Sequence, residues 1–451
     1  MTSVKLINHS SSTADWNENI MVIKDNLPKV LIIGINAWRE DGTAHTLMDI
    51  FRCWNPDKLA LVYSRADMPD TTVCNHYFQI SETQVMRSVL QPWIRVGKEV
   101  QRQPVGTPAD VEAEHERYGR AHKKASPWMP LAREMVWKFG HWKTKALKTF
   151  VKNFDPDILF IPIYPVVYMG WIQKYIINLT GKPTVCYLAD DNYSYDSCKG
   201  ILQYIHRYWL RRQVGPIARK SNQMFVIVDK EKEDTDRRFG TDSVILTKSI
   251  DFIGKTYEHH TPDIPLKFVY TGSLLIGRDK TLALLADAIN QINSGGERVE
   301  LYVYSQTEPS DDILRRINNG ASHFCGRIGR DEVLKVQREA DVVVFAEALE
   351  GKDANVAKLS FSTKITDYLS SGKCILAIGR EYIAPIDYFN RYDAAIIAHS
   401  ENEIHEAVIK LINNPELVDS YGEKAFNTAK RNHERDLLNK RFVTTMLKAI
   451  E

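Results

Sequence analysis

The sequence predicts an α/β protein built from two doubly wound, Rossmann-like domains that face each other across a central cleft. Its 451 residues are too many for one ordinary hydrophobic core. Short apolar, β-branched runs alternate with helical patterns, which is typical of parallel sheets covered by helices. This alternation stops at residues 251–265, a stretch that contains two histidines and two prolines, and then starts again. We therefore expect residues 251–265 to link two domains.

The composition is that of a soluble globular protein. Hydrophobic residues make up 44% of the chain and charged residues 26%, as in ordinary soluble enzymes. No apolar run is long enough to span a bilayer, and residues 1–27 form a polar extension without a signal-peptide core. The six cysteines show no C-x-x-C spacing, so neither a disulfide framework nor structural zinc is expected. These features predict a cytoplasmic protein.

The first domain is expected over residues 28–250. Its first apolar run leads into a loop, in which Gly42 permits close backbone approach at a helix start. Residues 83–152 are expected to form a basic insertion in this domain. The apolar runs that predict its strands are residues 29–34, 59–63, 157–162, 184–188 and 223–228.

The second domain is expected over residues 266–430, with residues 431–451 as a final helix. Open parallel sheets bind their ligands beyond the carboxyl ends of the strands, so we expect the functional site in the cleft between the domains. The apolar runs that predict the strands of this domain are residues 267–272, 299–304, 341–345, 374–377 and 394–397.

The most informative motif lies in residues 361–376, which read as a hydroxyl-rich turn, a helix, a glycine stop and an apolar strand. Ser362 and Thr363 can cap the helix start, where free backbone N–H groups favour an anion, and Lys364 adds a cation. Asp367 follows one turn later on a neighbouring face. A nucleotide suits this arrangement, with its diphosphate at the helix start and its ribose hydroxyls on Asp367. The alternative is an ordinary capped helix.

This segment resembles the donor-sugar signature of GT-B glycosyltransferases of the retaining family 4 type (glycosyl transferases group 1), in the variant S-T-K-x-x-[D/E]-Y-L-x-x-G-K. The resemblance implies a GT-B fold and a nucleotide-sugar donor whose ribose is held by a carboxylate at Asp367. The usual form of the signature has a second glutamate eight positions earlier. This chain has Leu359 there, and Glu347 or Glu350 can replace that glutamate only if the loop is longer.

The resemblance also implies where the donor diphosphate lies. Gly272 and Ser273 follow the first strand of the second domain, and a glycine turn there lets the backbone approach the diphosphate. Arg278 suits bidentate phosphate binding and Lys280 adds a point charge. The alternative for these residues is an exposed turn.

Two further loops of the second domain are candidates for the rest of the donor. The segment that ends in Gly326 and Arg327 resembles the family's F-x-G segment, whose backbone cradles the base. Glu347 follows the run at residues 341–345 and can hold sugar hydroxyls. A short strand with a turn and a solvated loop are the respective alternatives.

Asp190 and Asp191 end a strand of the first domain, and consecutive carboxylates at that position indicate a cleft. One of them can accept a proton from the acceptor hydroxyl or stabilise positive charge on the sugar ring. The sequence does not decide between them, and capping of a helix is the alternative role. No cluster of residues has metal-ligand spacing, so we expect no metal and no other cofactor.

Residues 116–152 are basic and aromatic, and they predict contact with an anionic membrane surface. Drawn as one helix, they carry an apolar stripe on one side and lysines on the other, with Trp137 among the lysines. The alternative is a surface helix packed on the sheet. Nucleic acid is not expected as a partner, because the net charge of the chain is only +2. The stripe consists of Trp128, Met135, Phe139, Trp142, Ala146 and Phe150, and the lysines are Lys138, Lys145, Lys148 and Lys152.

Together these features predict a glycosyltransferase that moves a sugar from a nucleotide sugar to a glycan or polyprenol-linked acceptor. The resemblance implies retention of configuration and a role in surface polysaccharide biosynthesis. Two alternatives stay open, a sugar-nucleotide epimerase and a non-catalytic subunit that scaffolds another transferase. Leu359, in place of the usual glutamate, favours the non-catalytic subunit slightly.

Overall fold

The structure, a computed structural model, describes residues 24–40, 45–102 and 128–451. It contains two mainly parallel sheets, each covered by helices on both faces. The first sheet has the strand order β4-β3-β2-β1-β5-β6-β7-β8, and all its pairings are parallel except that of β3 with β4. Its strands are β1 (Val30–Ile33), β2 (Leu59–Tyr63), β3 (His76–Gln79), β4 (Lys98–Val100), β5 (Ile158–Pro162), β6 (Thr184–Leu188), β7 (Gln223–Val226) and β8 (Val244–Ile245).

The second sheet has the order β11-β10-β9-β12-β13-β14 and is parallel throughout. The strand order reverses between β9 and β12 here, and between β1 and β5 in the first sheet. Crevices for ligands form at such reversal points, beyond the carboxyl ends of the strands. The strands are β9 (Leu266–Thr271), β10 (Val299–Tyr304), β11 (Ser322–Gly326), β12 (Val342–Ala346), β13 (Cys374–Ile378) and β14 (Ile396–Ala398).

Helices connect the strands in both domains, and none in the described parts of the chain is long and apolar enough to cross a bilayer. The helices of the first domain are α1 (His45–Phe51), α2 (Glu82–Leu90), α3 (Met129–Phe139), α4 (Lys145–Phe154), α5 (Val167–Thr180), α6 (Ile201–Lys220) and α7 (Asp229–Phe239). The later helices are α8 (Arg278–Ile292), α9 (Asp311–Ile317), α10 (Arg330–Arg338), α11 (Gly351–Ala354), α12 (Thr363–Ser370), α13 (Ala384–Arg391), α14 (Glu401–Asn413), α15 (Glu416–His433) and α16 (Arg435–Lys448).

The strands are continuously apolar because both faces of each sheet are buried. Leu31 and Ile33 of β1 pack into the core on one face, with α3 to α6. Val30 and Ile32 pack into the core on the other face, with α1 and α16. Helices on both sides of a parallel sheet require this pattern. The predicted fold of two Rossmann-like domains is thereby confirmed.

The last helix, α16, returns from the second domain and packs on the first. Phe442 is fully buried there, and its ring centroid lies 5.0 Å from Phe51, 5.6 Å from Trp54 and 5.5 Å from Phe225. The chain therefore passes between the domains twice. The two passages are bonded to each other, because the Ile250 N–H donates to the His433 carbonyl at 2.7 Å.

We expect the Phe442→Ala substitution to lower the free energy of unfolding of the first domain by about 3–5 kcal/mol, because it leaves an unfilled volume among aromatic rings. Denaturant unfolding followed by tryptophan fluorescence measures this. Ile450→Ala is the control, since Ile450 is 39% exposed and surface substitutions change stability by about 0.5 kcal/mol or less. Equal stability of the two variants would show that α16 is only loosely attached.

Part of the predicted insertion at residues 83–152 belongs to the fold itself. Most of α2 falls inside this range, and β4 extends the first sheet by pairing antiparallel with β3. The helices α3 and α4 cover the same sheet. Residues 103–127 of this range lie outside the described residues. Gly42, in the loop after β1, also lies outside them.

The prediction of one amphipathic helix across residues 128–150 was wrong. Gly140 ends α3 with an extended backbone, and α4 starts anew after Thr144, whose hydroxyl accepts the Leu147 N–H. The helical phase is therefore reset. Trp137, expected on the exposed basic side, is fully buried and stacks on Tyr168 with a centroid distance of 4.1 Å. It cannot anchor the protein in a membrane.

Candidate active site

Lys364 of α12 places a partly buried cation against the glycine turn after β9. Gly272 has a φ of 147°, and a Cβ atom at this position would collide with the Lys364 Nζ. Lys364 reaches across from the first turn of α12, donates to the Thr271 carbonyl at 3.3 Å and lies 5.1 Å above the Tyr270 ring. The absence of a side chain on Gly272 thus lets the ammonium group reach the carboxyl end of β9.

Arg278 and Glu347 meet at the same edge of the sheet, between β9 and β12. The guanidinium donates to both carboxylate oxygens, with distances of 2.9 Å from Nε to Oε2 and 2.8 Å from Nη2 to Oε1. Glu347 is buried, and its carbonyl accepts the Thr281 hydroxyl at 2.9 Å. The arginine expected on phosphate and the glutamate expected on sugar hydroxyls are therefore bound to each other, as a rigid pair beside Lys364.

The surroundings of Lys364 disfavour its charge. Burial, and then the positive charge of Arg278, lower the pKa of Lys364 to about 8, while Glu347 acts in the opposite direction. A bound diphosphate would supply the negative charge that this ammonium group lacks. Among the predicted donor-site residues that the structure describes, Lys364 is therefore the one whose charged form a bound anion would stabilise most clearly.

Two other predicted residues follow β9 in the chain, Ser273 in the loop and Lys280 in α8. Ser273 lies at the turn, where its hydroxyl accepts the Leu275 N–H at 3.2 Å. Lys280 is exposed, and because it lies two positions beyond Arg278 it leaves α8 on a different face. The structure thus does not bring Lys280 to the cluster of Lys364, Arg278 and Glu347.

Gly326 and Arg327 lie at the carboxyl end of β11, at the same edge of the sheet as Gly272. Gly326 has a φ of 69°, and its carbonyl accepts the Ser305 N–H at 2.8 Å. Arg327 is exposed. Both residues lie along the expected path of a nucleotide base, two strands away from the Gly272 turn.

The start of α12 differs from the expected cap. Ser362 occupies the N-cap position with an extended backbone, but its side chain makes no capping bond within the described chain. Thr363 is the first helical residue and is exposed. Because no side chain caps the start of this helix in the described chain, backbone N–H groups of its first turn can donate to a ligand.

Asp367 has a partner that the sequence did not reveal. Its carboxylate lies 2.5 Å from the Lys248 Nζ, and both side chains are about one quarter exposed, at 25% and 21%. Lys248 follows β8 on the passage between the domains. A ribose that binds Asp367 would therefore have to share the carboxylate with Lys248.

We expect Asp367→Ala to weaken nucleoside diphosphate binding by about 1.5–3 kcal/mol, which is typical of a hydrogen bond to a charged group. Isothermal titration calorimetry measures this. Asp312→Ala is the matched control, because Asp312 also pairs with a cation in the second domain but lies exposed on α9. Unchanged affinity in the Asp367 variant would mean that this carboxylate serves only the ion pair with Lys248.

Asp190 faces the second domain across the cleft. It is exposed at the end of β6, and Ser360 of the second domain lies near its carboxyl group, although the Ser360 hydroxyl donates to the Val356 carbonyl at 3.2 Å. Desolvation by the surrounding protein raises the pKa of the Asp190 carboxyl group. The nearby Ser360 hydroxyl opposes this shift, and the negative charge of Asp191 adds to it. A carboxylate with a raised pKa that is open to the cleft suits proton transfer.

Asp191 instead holds the turn that follows. Its side chain is almost fully buried, accepts the N–H groups of Tyr193 at 3.2 Å and Ser194 at 2.8 Å, and also accepts the Ser194 hydroxyl. The Arg207 guanidinium donates to the Asp191 carbonyl at 2.7 Å. The structure therefore separates the two aspartates, with Asp190 at the cleft and Asp191 in a structural role close to the capping alternative.

Two polar groups near Asp190 were missed by sequence reasoning. Glu231, in the first turn of α7, is fully buried, and burial raises its pKa well above the usual range. Its Oε2 accepts the Ile227 N–H at 2.9 Å. Ser360 is the neighbour of Leu359, which is itself buried. No sequence motif marks either residue, because their approach to Asp190 is set by the fold and not by local spacing.

Within residues 24–40, 45–102 and 128–451, no three His, Cys, Asp or Glu side chains gather in a way that could hold a metal ion. That the site works without a metal stays a prediction. The cations that the described structure brings to the Gly272 turn are Lys364 and Arg278.

Comparison with known proteins supports the assignment of the fold. Residues 265–414 match the family model described as "Glycosyl transferases group 1". Among solved structures, HepE from Anabaena in complex with UDP and glucose superposes with a TM-score of 0.58 and 11% identity over 93% of this chain and 99% of that chain. No curated relative matches the sequence.

Two other solved structures are similar over nearly the whole chain. Sucrose-phosphate synthase from Thermosynechococcus elongatus has a TM-score of 0.56 and 9% identity over 91% of this chain and 96% of that chain. An α,α-trehalose-phosphate synthase (UDP-forming) from Burkholderia vietnamiensis has a TM-score of 0.55 and 10% identity over 93% and 99% of the two chains.

The arrangement of two Rossmann-like domains is a fold of the GT-B class. Within that class, the second domain is of the kind described as glycosyl transferases group 1. This agrees with the resemblance carried by residues 361–376.

Proposed function

We propose that the protein transfers a sugar, with retention of configuration, from a nucleotide-sugar donor to a glycan or lipid-linked acceptor. We further propose that it acts in surface polysaccharide biosynthesis, in the cytoplasm or at the inner face of the membrane. The observation that carries the proposal is the cluster of Lys364, Arg278 and Glu347 at the Gly272 turn. The complexes of HepE with UDP and with UDP-glucose support a nucleotide-sugar donor.

In this proposal the donor diphosphate lies between the Gly272 turn and the start of α12. The Lys364 ammonium group would turn from the Thr271 carbonyl to the phosphate oxygens. Arg278, held by Glu347, would add a positive charge whose position does not change during the reaction. Cations fixed in advance stabilise the negative charge that grows on the leaving diphosphate, without a metal.

The sugar would lie beyond the diphosphate, towards the first domain. There Asp190 would accept the proton of the acceptor hydroxyl or stabilise positive charge on the sugar ring. Ser360, on the second domain, lies near the Asp190 carboxyl group and would help to position it.

Product analysis tests the proposal. The protein is incubated in EDTA with UDP-, GDP-, TDP- and CMP-sugars and candidate acceptors, and the released nucleotide and the anomeric configuration of the product are measured by NMR. We expect release from one donor class, transfer to an acceptor and a retained anomeric centre. Inverted product would contradict retention, and a strict need for Mg²⁺ or Mn²⁺ would contradict the metal-free site.

The main rival is a non-catalytic subunit of the same fold. It is favoured by the buried Leu359, which leaves the cleft without the usual second carboxylate. An epimerase would instead convert the donor without any acceptor. Nucleotide binding without turnover would support the subunit, and donor isomerisation or hydrolysis that no acceptor stimulates would support the epimerase.

A further inference from the structure

The outer surface of the first domain carries an aromatic groove of about 750 Å³ between α3, α5 and α6. Its lining residues all belong to the first domain, and neither Asp190 nor any residue of the second domain is among them. Trp and Tyr side chains make up much of its lining, namely Trp137, Trp142, Trp171, Tyr175 and Trp209.

Positive charge surrounds these rings without a compensating acid. Lys138, Lys143, Lys174 and Arg212 line the groove, and among the residues that the structure describes no aspartate or glutamate does. Across the described chain, none of these four cations forms an ion pair with a carboxylate, in contrast to Arg278. Lys143 lies 5.3 Å above the Trp142 ring, and Lys174 donates to the Arg212 carbonyl at 2.8 Å. The groove therefore attracts an anion.

Apolar side chains project into solvent beside these cations. On α3, Met135 lines the groove and Phe139, 59% exposed, lies next to Lys138. On α6, Ile205 precedes Trp209 by one turn, so both leave the same side of the helix. Tyr208 is 50% exposed, and its hydroxyl accepts the Arg212 Nη1 at 3.2 Å.

This combination separates two kinds of anionic partner. A soluble polyanion needs the cations and the ring faces, but it gains nothing from aliphatic and phenyl groups that point into solvent. A lipid surface uses all three, because aromatic rings settle at the headgroup level, apolar groups enter below it and cations meet the phosphates.

We propose that this face docks on an anionic membrane, with a lipid phosphate seated among the four cations of the groove. It deepens the proposed function, on which it rests, by placing the membrane at one surface from which a lipid-linked acceptor could reach the cleft. The contact falls on α3, α5 and α6, and not on the single helix expected from residues 116–152.

Co-sedimentation of the full chain with vesicles at low salt tests the proposal. Phosphatidylcholine vesicles with and without phosphatidylglycerol are compared. The variant Lys138→Glu/Lys143→Glu reverses two groove charges, and Lys148→Glu/Lys152→Glu on α4 makes the same change outside the groove. We expect the groove variant to lose more than about tenfold in affinity for the anionic vesicles and the α4 variant to lose far less.

A third variant, Phe139→Gln, keeps the charge and removes an apolar contact. We expect it to weaken vesicle binding while leaving the melting temperature unchanged, because Phe139 is exposed. Failure of the wild-type chain to sediment would overturn the proposal, and so would equal losses in the groove and α4 variants. Displacement from vesicles by single-stranded RNA at equal phosphate concentration would assign the groove to a soluble polyanion and also overturn it.

Donor binding separates this inference from the proposed function. Titration of the groove variant with the nucleoside diphosphate that binds the wild type should give an unchanged affinity, because the groove lies outside the donor site. If no nucleoside diphosphate binds the wild type but vesicles do, the proposed function fails and the docking face stands. If nucleotide binds and vesicles do not, the opposite holds.

Discussion

Replacing Lys364 with methionine is expected to lower kcat by about 10²–10³, the usual cost of losing one fixed group that stabilises transition-state charge. Methionine keeps most of the side chain's length and apolar volume while removing the ammonium group that lies over the Tyr270 ring. Release of nucleoside diphosphate from the donor sugar measures the effect. Lys280→Met is the matched control, since it removes an exposed lysine of the same domain.

The same lysine predicts a pH dependence. Because the pKa of Lys364 lies at about 8 in the free protein, its ammonium form is nearly complete below pH 7 and is lost as the pH rises through 8. The affinity for nucleoside diphosphate should therefore fall above about pH 8, and this fall should vanish in Lys364→Met. Equal turnover in the Lys364 and Lys280 variants would remove Lys364 from the site.

Replacing Asp190 with asparagine is expected to lower kcat by about 10²–10⁴, the range of a lost general acid or base. Affinity for the donor nucleotide should change little, because Asp190 lies on the other side of the cleft from the cation cluster. Initial rates under saturating donor, together with calorimetry of nucleotide binding, separate the two effects.

Asp191→Asn should behave differently from Asp190→Asn. It weakens a turn in which one carboxylate accepts two N–H groups and a hydroxyl, so the melting temperature should fall. Full activity in Asp190→Asn, or loss of turnover in Asp191→Asn at unchanged stability, would reverse the roles of the two aspartates.

Most of the fold could be predicted from the sequence, because strands buried on both faces are continuously apolar and stand out against helical patterns. The sequence assigned Lys364 and Gly272 separately to the donor diphosphate, and their direct contact was revealed by the structure. The error at Trp137 came from a helical phase carried across Gly140, where the backbone leaves the helix.

The pairing within the site was not predictable from one sequence. Arg278 and Glu347 are 69 residues apart, and each is plausible as a ligand contact until the fold brings them together. Lys248 lies on the passage between the domains, in a segment with no motif, yet it pairs with Asp367. Which aspartate faces the cleft depended on a turn that only the three-dimensional structure reveals.

The central claim is that the Gly272 turn, Lys364 and Arg278 hold the diphosphate of a nucleotide donor. Calorimetric titration of wild-type protein and Lys364→Met with UDP, GDP, TDP and CDP in EDTA tests it most directly. The account predicts that at least one diphosphate binds the wild type without metal, and that Lys364→Met weakens this binding by about tenfold or more. Failure of all four to bind the wild type, or equal affinity in the variant, would contradict it.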